Sequence, residues 1–159
     1  MTSLGQEIGN LLRQKGLTLG VVESATGGLV SHLITNVLGS SDYYQGSVIA
    51  YSNDVKTKVV GVKEDTISKY GAVSDRVAEE MAQEGRRILA VDICLADTGI
   101  AGPGGATPGK PVGLFYISLS HPTGTYSRKH TFHGDREHNK RSAAETSLSW
   151  LKEFLLSLE

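Results

Sequence analysis

Three short loops of the sequence carry its most reactive side chains. The first, Glu23-Ser24-Ala25-Thr26-Gly27-Gly28, places a carboxylate, two hydroxyls and two glycines between a predicted strand and a predicted helix. The free N–H groups and the partial positive charge at a helix start suit an oxyanion or a phosphate. A structural interpretation also fits, because Ser24 or Thr26 could cap the helix while the glycines form the turn. The position after a strand, where α/β proteins bind ligands, favours the functional interpretation.

The second segment begins at Gly39-Ser40-Ser41-Asp42 and continues through a predicted strand to Tyr51, with Lys56 shortly after it. A serine hydroxyl attacks an amide only when a base takes its proton. The sequence has no GxSxG motif, so an ordinary α/β-hydrolase is excluded. Lys56 could be the base if burial lowers its pKa, with Tyr51 as a relay or an orienting group. The alternative is a solvent-exposed lysine, which is the usual position of this residue type.

The third loop, Thr98–Pro111, is rich in glycine and nearly matches the nucleotide P-loop at Gly104, Gly109 and Lys110. The hydroxyl residue that would bind magnesium is replaced by Pro111, and the next segment is a predicted strand, whereas a P-loop opens a helix. These differences exclude a P-loop ATPase. A backbone cradle for a ligand is the remaining prediction.

Neither a metal site nor a cofactor is predicted. His130 and His133 are three residues apart, so on a strand they would point to opposite faces. Arg136, Lys140 and Arg141 lie near the start of the last predicted helix, where they are either phosphate donors or ordinary surface charges.

Helices and strands alternate in the first part of the chain, and two strands precede the last helix. Predicted strands cover residues 17–22, 43–51, 91–98, 112–119 and 125–132. Predicted helices run from Ser3 to Gly16, over 29–37, from Asn53 to Val60, from Ser74 onward and from about Glu137 to the end. This order predicts an α/β fold: a single-domain, three-layer α/β/α sandwich with a mixed sheet over residues 1–159.

Composition narrows the range of partners. The chain has 16 Lys and Arg against 17 Asp and Glu, a formal net charge of −1, so neither nucleic acid nor an anionic membrane is a predicted partner. The single cysteine, Cys94, excludes an intrachain disulfide and agrees with a reducing compartment. No apolar run reaches membrane-spanning length and the first residues lack a signal-peptide core, so we expect a cytoplasmic protein.

Taken together, seven motifs in these segments resemble a known family. In chain order they are Glu-Ser-Ala-Thr-Gly-Gly at 23–28, Gly-Ser-Ser at 39–41, Tyr-Ser-Asn at 51–53 with Lys56, Gly-Ala-Val-Ser at 71–74, Thr-Gly-Ile-Ala-Gly-Pro-Gly-Gly at 98–105, Lys-Pro-Val-Gly at 110–113 and Gly-Asp-Arg at 134–136. Their order and spacing resemble the CinA C-terminal domain, also called the nicotinamide mononucleotide deamidase (PncC) family. The resemblance covers nearly the whole chain and suggests the stand-alone form, without the additional N-terminal domain of many relatives.

The resemblance implies a homo-oligomeric α/β/α amidohydrolase that converts nicotinamide mononucleotide to nicotinate mononucleotide and ammonia without a metal. It implies Ser41 as the nucleophile and Lys56 as its base, with Ser24 and Tyr51 as supporting polar groups. Ser24 remains an alternative nucleophile, because its strand-to-helix turn has free amides nearby. The implied substrate contacts are Glu23, Thr26, Gly27, Gly28, Thr98, Gly99, Gly102, Gly104, Gly105 and Arg141, the last assigned as phosphate partner from the Gly-Asp-Arg segment.

The sequence departs from the family pattern at two positions. Ala25 replaces a frequent cysteine, and Asp97 stands where an apolar residue is common, which predicts a more polar strand end.

Two other kinds of function stay open at this point. The same loops could bind a nucleotide for regulation without turnover, or the chain could be an interaction module associated with competence or DNA damage. The presence of Ser24, Ser41 and Lys56 together favours the enzyme.

Overall fold

The computed structural model describes residues 2–158, which form one mixed sheet with helices on both faces. The strands are β1 (Leu19–Glu23), β2 (Tyr44–Ile49), β3 (Ile93–Gly99), β4 (Leu114–His121) and β5 (Gly124–Thr131), in the sheet order β2-β1-β3-β4-β5. The helices are α1 (Leu4–Lys15), α2 (Leu29–Thr35), α3 (Asn53–Val55), α4 (Glu64–Tyr70), α5 (Asp75–Leu89) and α6 (Arg136–Ser157). Within residues 2–158, no helix is long and apolar enough to cross a membrane.

The predicted three-layer sandwich is confirmed. Helices α1, α2 and α6 cover one face of the sheet, where Leu19 and Val21 of β1 join their core. Helices α4 and α5, with the segment around α3, cover the other face, where Val22 packs against α5. The alternation along β1 follows from the two-residue period of a strand, and both of its faces are buried because helices lie on each side.

The sheet topology brings three loops to one edge. Strand β1 is parallel to β2 on one side and to β3 on the other, so all three end at the same edge. Helix α2 connects β1 to β2 across one face, whereas α3–α5 connect β2 to β3 across the other. Connections that leave on opposite faces open a crevice beyond the strand ends, and α/β proteins bind ligands there.

Capping residues and glycines in the sequence mark where several helices begin or end. The capping box at Ser3 and the left-handed Gly16 bound α1, and Ser74 caps α5 through the Val77 N–H. Three details differ from the predictions. Ser52, rather than Asn53, caps α3, and the chain continues as a π-helical turn over Lys56–Val60. Helix α4 had no clear periodic pattern and was not predicted.

Candidate active site

Ser24 and Lys56 form a buried hydrogen-bonded pair at the crevice. The Lys56 Nζ lies 2.9 Å from Ser24 Oγ, although 32 residues separate them in the chain. Ser24 is 6% exposed and Lys56 only 2%. A lysine is seldom buried this fully without an acidic partner, which indicates a special role for this amine.

The π-helical turn after β2 explains how Lys56 reaches the crevice. Ser52 starts the short helix by accepting the Val55 N–H, and buried Val60 anchors the far end of the turn. The Lys56 amine also lies 2.8 Å from the carbonyl oxygen of Tyr51. Burial lowers the pKa of Lys56, while the carboxyl of Asp97 opposes part of that shift. Within residues 2–158, no carboxylate lies within salt-bridge distance of this amine, so its charged form lacks a direct ion pair.

Glu23 organises the turn that carries Ser24. It is fully buried and accepts hydrogen bonds from the backbone N–H groups of Gly28, Val30 and Ser31, at 3.0 to 3.1 Å. The hydroxyl of Ser31 also donates to it, at 2.6 Å. Glu23, which the resemblance implied as a substrate contact, thus accepts the N–H groups at the start of α2 in this structure.

A second buried carboxyl, Asp97, lies beside Glu23 beneath the same turn. Its Oδ1 accepts the N–H groups of Ser24 and Thr26 at 3.4 and 3.2 Å, and its Oδ2 lies 2.5 Å from the Thr26 hydroxyl oxygen. The same hydroxyl oxygen is 2.6 Å from Glu23 Oε1. Burial, together with the neighbouring Glu23 charge, raises the pKa of Asp97 to about 7, although the hydrogen bonds from Thr26 and Ser24 oppose part of that shift.

A cavity of about 310 Å³ opens onto the Ser24–Lys56 pair, within the size range of small-molecule sites. Its lining residues are Ser24, Ala25, Tyr51, Asn53, Lys56, Ala72, Val73, Thr98, Gly99, Ile100, Ala101, Gly102, Gly104, Gly105 and Arg136. Within residues 2–158, the N–H of Ala25 has no hydrogen-bond acceptor. This N–H directly follows the serine, a position used for oxyanion stabilisation in serine hydrolases.

The predicted pairing of Ser41 with Lys56 is wrong. Ser41 is exposed in a 3₁₀ turn, Ser40–Asp42, that precedes β2, whereas Lys56 follows that strand. The six residues of β2, at about 3.3 Å each, separate the two sites by roughly 20 Å. The serine beside Lys56 is Ser24, the alternative that the turn chemistry had left open.

Tyr51 contributes through its backbone rather than its phenol. Its carbonyl oxygen positions the Lys56 amine, while its side chain is 61% exposed and its hydroxyl accepts a hydrogen bond from Arg136. A relay through the phenol is therefore not formed in this arrangement. The other predicted role of Tyr51, orienting Lys56, is performed by its carbonyl oxygen, which accepts a hydrogen bond from the amine.

Arg136, a candidate phosphate donor in the sequence that is absent from the implied substrate contacts, lies at the site. Its guanidinium donates to the Gly102 carbonyl at 2.9 Å and to the Tyr51 hydroxyl at 3.1 Å, and it lines the cavity. The signal was available, because Arg136 is the arginine of the Gly-Asp-Arg segment. Arg141 was assigned from that segment, but it does not line the cavity beside Ser24.

Arg141 instead lines a second cavity of about 540 Å³ that shares Arg136 with the first. This cavity also contains three of the predicted substrate contacts, Thr26, Gly27 and Gly28, together with Lys140. Both glycines have positive φ angles, 61° and 105°, which the tight turn before α2 requires. The predicted contacts other than Glu23 are thus divided between two adjoining cavities, one at the serine and one that is basic, whereas the buried Glu23 lines neither.

The glycine-rich loop after β3 forms one wall of the first cavity. Thr98 is held by donating to the Ala72 carbonyl at 2.8 Å, and Gly99, Gly102, Gly104 and Gly105 follow it along the wall. Strand β4 follows this loop, which agrees with the exclusion of a P-loop. Among residues 2–158, no cluster of three or more His, Cys, Asp or Glu side chains could hold a metal ion.

The fold and this site define a three-layer α/β/α domain with a buried serine–lysine pair at its topological switch point. The chain belongs to the CinA family: the CinA C-terminal domain matches residues 1–155. Among curated relatives, the CinA-like protein of Geotalea uraniireducens is 43% identical over 151 residues, covering 95% of this chain and 36% of that protein. The CinA-like protein of Thermotoga neapolitana is 45% identical over 148 residues, covering 91% of this chain and 35% of that protein.

The chain therefore spans little more than a third of the length of these relatives. Solved structures match over more than nine tenths of their length. The competence damage-inducible protein A of Klebsiella pneumoniae has a TM-score of 0.95 and 28% identity, covering 98% of this chain and 97% of that one. The competence/damage inducible protein CihA of Agrobacterium tumefaciens has a TM-score of 0.90 and 31% identity, covering 93% and 91% respectively.

Proposed function

We propose that the protein is an amidohydrolase that converts nicotinamide mononucleotide to nicotinate mononucleotide and ammonia, with Ser24 as nucleophile and Lys56 as general base. The observation that carries this proposal is the 2.9 Å contact between a buried serine hydroxyl and a buried lysine amine. A serine needs a base within hydrogen-bond reach, and a lysine is a base only when it is neutral. The burial that lowers the pKa of Lys56 favours the neutral form.

In the first step, Ser24 donates its proton to Lys56 while its oxygen attacks the carboxamide carbon. The Tyr51 carbonyl holds the amine in place by accepting one of its N–H groups. The Ala25 N–H stabilises the oxyanion, and one such donor is worth about 3 kcal/mol in a hydrolase. Lys56 then returns the proton to the leaving nitrogen, and ammonia departs.

In the second step, water attacks the acyl ester on Ser24, and Lys56 takes a proton from that water. The acid product leaves, and Ser24 recovers its proton. Each proton that Lys56 accepts is returned within the cycle, so no other acid or base is needed for balance.

The second cavity supports a nucleotide as substrate rather than free nicotinamide. Arg136 lines both cavities, and Lys140 and Arg141 lie beyond it at the start of α6. Guanidinium and ammonium groups are the usual phosphate partners in proteins. With the carboxamide at Ser24, the phosphate would extend past Arg136 towards these two side chains.

The experiment is ammonia release from nicotinamide mononucleotide by chelator-treated protein, with nicotinamide riboside and nicotinamide as comparison substrates. We expect release that survives chelation and is fastest with the phosphorylated substrate. Binding of the mononucleotide without ammonia release would contradict the enzyme and support a nucleotide-binding module. Loss of release on chelation alone would contradict the metal-free chemistry.

A further inference from the structure

The carboxyls of Glu23 and Asp97 share a single bridging hydroxyl, and the hydrogens available there do not suffice for two carboxylates. The Thr26 oxygen is within hydrogen-bond distance of both, at 2.6 and 2.5 Å. A hydroxyl has one hydrogen, so it can donate to only one of the two. If both carboxyls were ionised, the other contact would place two lone pairs against each other in a buried site, which is strongly unfavourable.

Glu23 is the carboxylate of the two. Its oxygens accept three backbone N–H groups and the hydroxyl of Ser31, and this number of donors favours the ionised form of a carboxyl. A chain of hydroxyls also ends on it, because Ser47 lies 2.6 Å from Ser31 and Tyr44 lies against Ser47. These hydroxyls can all point towards Glu23, so its side of the network is complete.

Asp97 has fewer donors and one oxygen that needs a proton. Two backbone N–H groups reach its Oδ1, and among residues 2–158 only the Thr26 hydroxyl reaches its Oδ2. A proton on Oδ2 allows Asp97 to donate to Thr26, and Thr26 in turn to donate to Glu23. The titratable groups that face Asp97 are Glu23, on β1, and Lys56, in the turn after α3.

We propose that Asp97 is a protonated, uncharged positioning residue: it holds the Ser24–Thr26 turn by hydrogen bonds and leaves Lys56 without an adjacent buried anion. The consequence for catalysis rests on the proposed amidohydrolase function. A carboxylate at this position would favour the charged ammonium form of Lys56, whereas a neutral carboxyl leaves the amine free to accept the serine proton.

The proton itself is tested without any turnover. In protein labelled with ¹³C, the Asp97 side-chain carboxyl resonance is assigned through its own backbone and followed between pH 5 and pH 8. We expect the shift of a protonated carboxyl at pH 5 to 6. The shift of an ionised carboxylate over that whole range would overturn the proposal, whether or not the protein hydrolyses any amide.

The positioning role is tested with Asp97→Asn. The asparagine has the size of the aspartate, its amide oxygen can accept the N–H groups of Ser24 and Thr26, and its amide nitrogen can donate to the Thr26 hydroxyl. If Asp97 is neutral at the pH of catalysis, the variant keeps at least about a third of the wild-type kcat, and the rising limb of its pH–rate profile moves by less than about half a unit. A downward movement of one unit or more would show that an anion had been removed beside Lys56 and would overturn the proposal. So would a loss of 100-fold or more in a variant that is folded.

Asp92→Asn is the matched control. Asp92 directly precedes β3, at the opposite edge of the sheet, where it accepts the Thr18 N–H at 2.9 Å. We expect its pH–rate profile to superpose on that of the wild type. If the wild type releases no ammonia, the proposed function fails, but the resonance of Asp97 still decides where the proton lies.

Discussion

Replacing Lys56 by methionine separates the chemical role of the buried amine from its packing role. The methionine fills a similar volume in a site where only 2% of the lysine is exposed. The change removes the hydrogen bonds to Ser24 and to the Tyr51 carbonyl, each worth about 1 kcal/mol. It also removes an amine whose charge is costly to bury, so we expect the free energy of unfolding to stay within about 2 kcal/mol of the wild type.

The effect on catalysis is expected to be much larger. A positioned general base contributes a factor of about 10² to 10⁴, so kcat for ammonia release falls by at least about 100-fold. Lys58→Met is the control, because Lys58 lies in the same π-helical turn but is exposed and pairs only with Asp54 at 3.6 Å. We expect this control to retain full activity.

The pH dependence of stability gives a second readout for the same variant. Since the folded protein holds the pKa of Lys56 below its ordinary value of 10.5, the unfolded chain binds more protons at alkaline pH. Wild-type stability therefore gains on that of Lys56→Met as the pH rises towards 10.5, by about 1.4 kcal/mol for each unit of pKa depression. Urea unfolding of both proteins between pH 7 and pH 10 measures this difference in stability.

The catalytic prediction has its own refuting result. A folded Lys56→Met protein with more than about a tenth of wild-type activity would refute the role of Lys56 as base.

Three further predictions follow from the same geometry. Because the pKa of Asp97 is raised from 3.8 to about 7, wild-type stability should fall by about 3 kcal/mol relative to Asp97→Asn as the pH rises from 4 to 7, and a constant difference in urea unfolding would contradict this. Arg136→Gln should raise KM for nicotinamide mononucleotide by about 10- to 100-fold but change KM for the riboside far less, and equal effects on both would exclude a phosphate contact. Gly113→Ala should lower the free energy of unfolding by about 3 kcal/mol or more, since the φ of Gly113 is 88° and an added Cβ would lie 1.8 Å from the backbone oxygen of Phe132. Gly109→Ala, with a similar φ of 80° but open space around it, should cost only about 1 to 2 kcal/mol in thermal or urea unfolding.

Local signals in the sequence were sufficient for the sheet and most helices. Strand β3 is an apolar run, and the caps at Ser3 and Ser74 mark helix starts through side-chain chemistry that needs no partner from elsewhere. Helix α4 escaped prediction because it contributes no fully buried side chain, so no apolar stripe marks it. The π-helical turn at Lys56 escaped for another reason: the extra residue per turn is stabilised by contacts that lie far away in the sequence.

The site was only partly predictable, because its contacts also join residues that are far apart in the sequence. Turn chemistry identified the Ser24 segment, and the motif pattern identified Lys56, but their contact spans 32 residues and depends on the order of strands in the sheet. Ser41 lies in a matched motif yet precedes β2, so its distance from Lys56 follows only from the direction of that strand. The shared hydroxyl of Thr26 between two carboxyls could not be seen without side-chain positions.

The most direct test of the Ser24–Lys56 site is ammonia release from nicotinamide mononucleotide by two matched serine variants. Ser24→Ala removes the hydroxyl beside Lys56, and Ser41→Ala removes the exposed hydroxyl before β2. We predict that Ser24→Ala loses activity by about 10³-fold or more, as removal of a hydrolase nucleophile does, while Ser41→Ala stays within about twofold of the wild type. Full activity in folded Ser24→Ala, or a comparable loss in folded Ser41→Ala, would contradict the assignment of Ser24 as nucleophile.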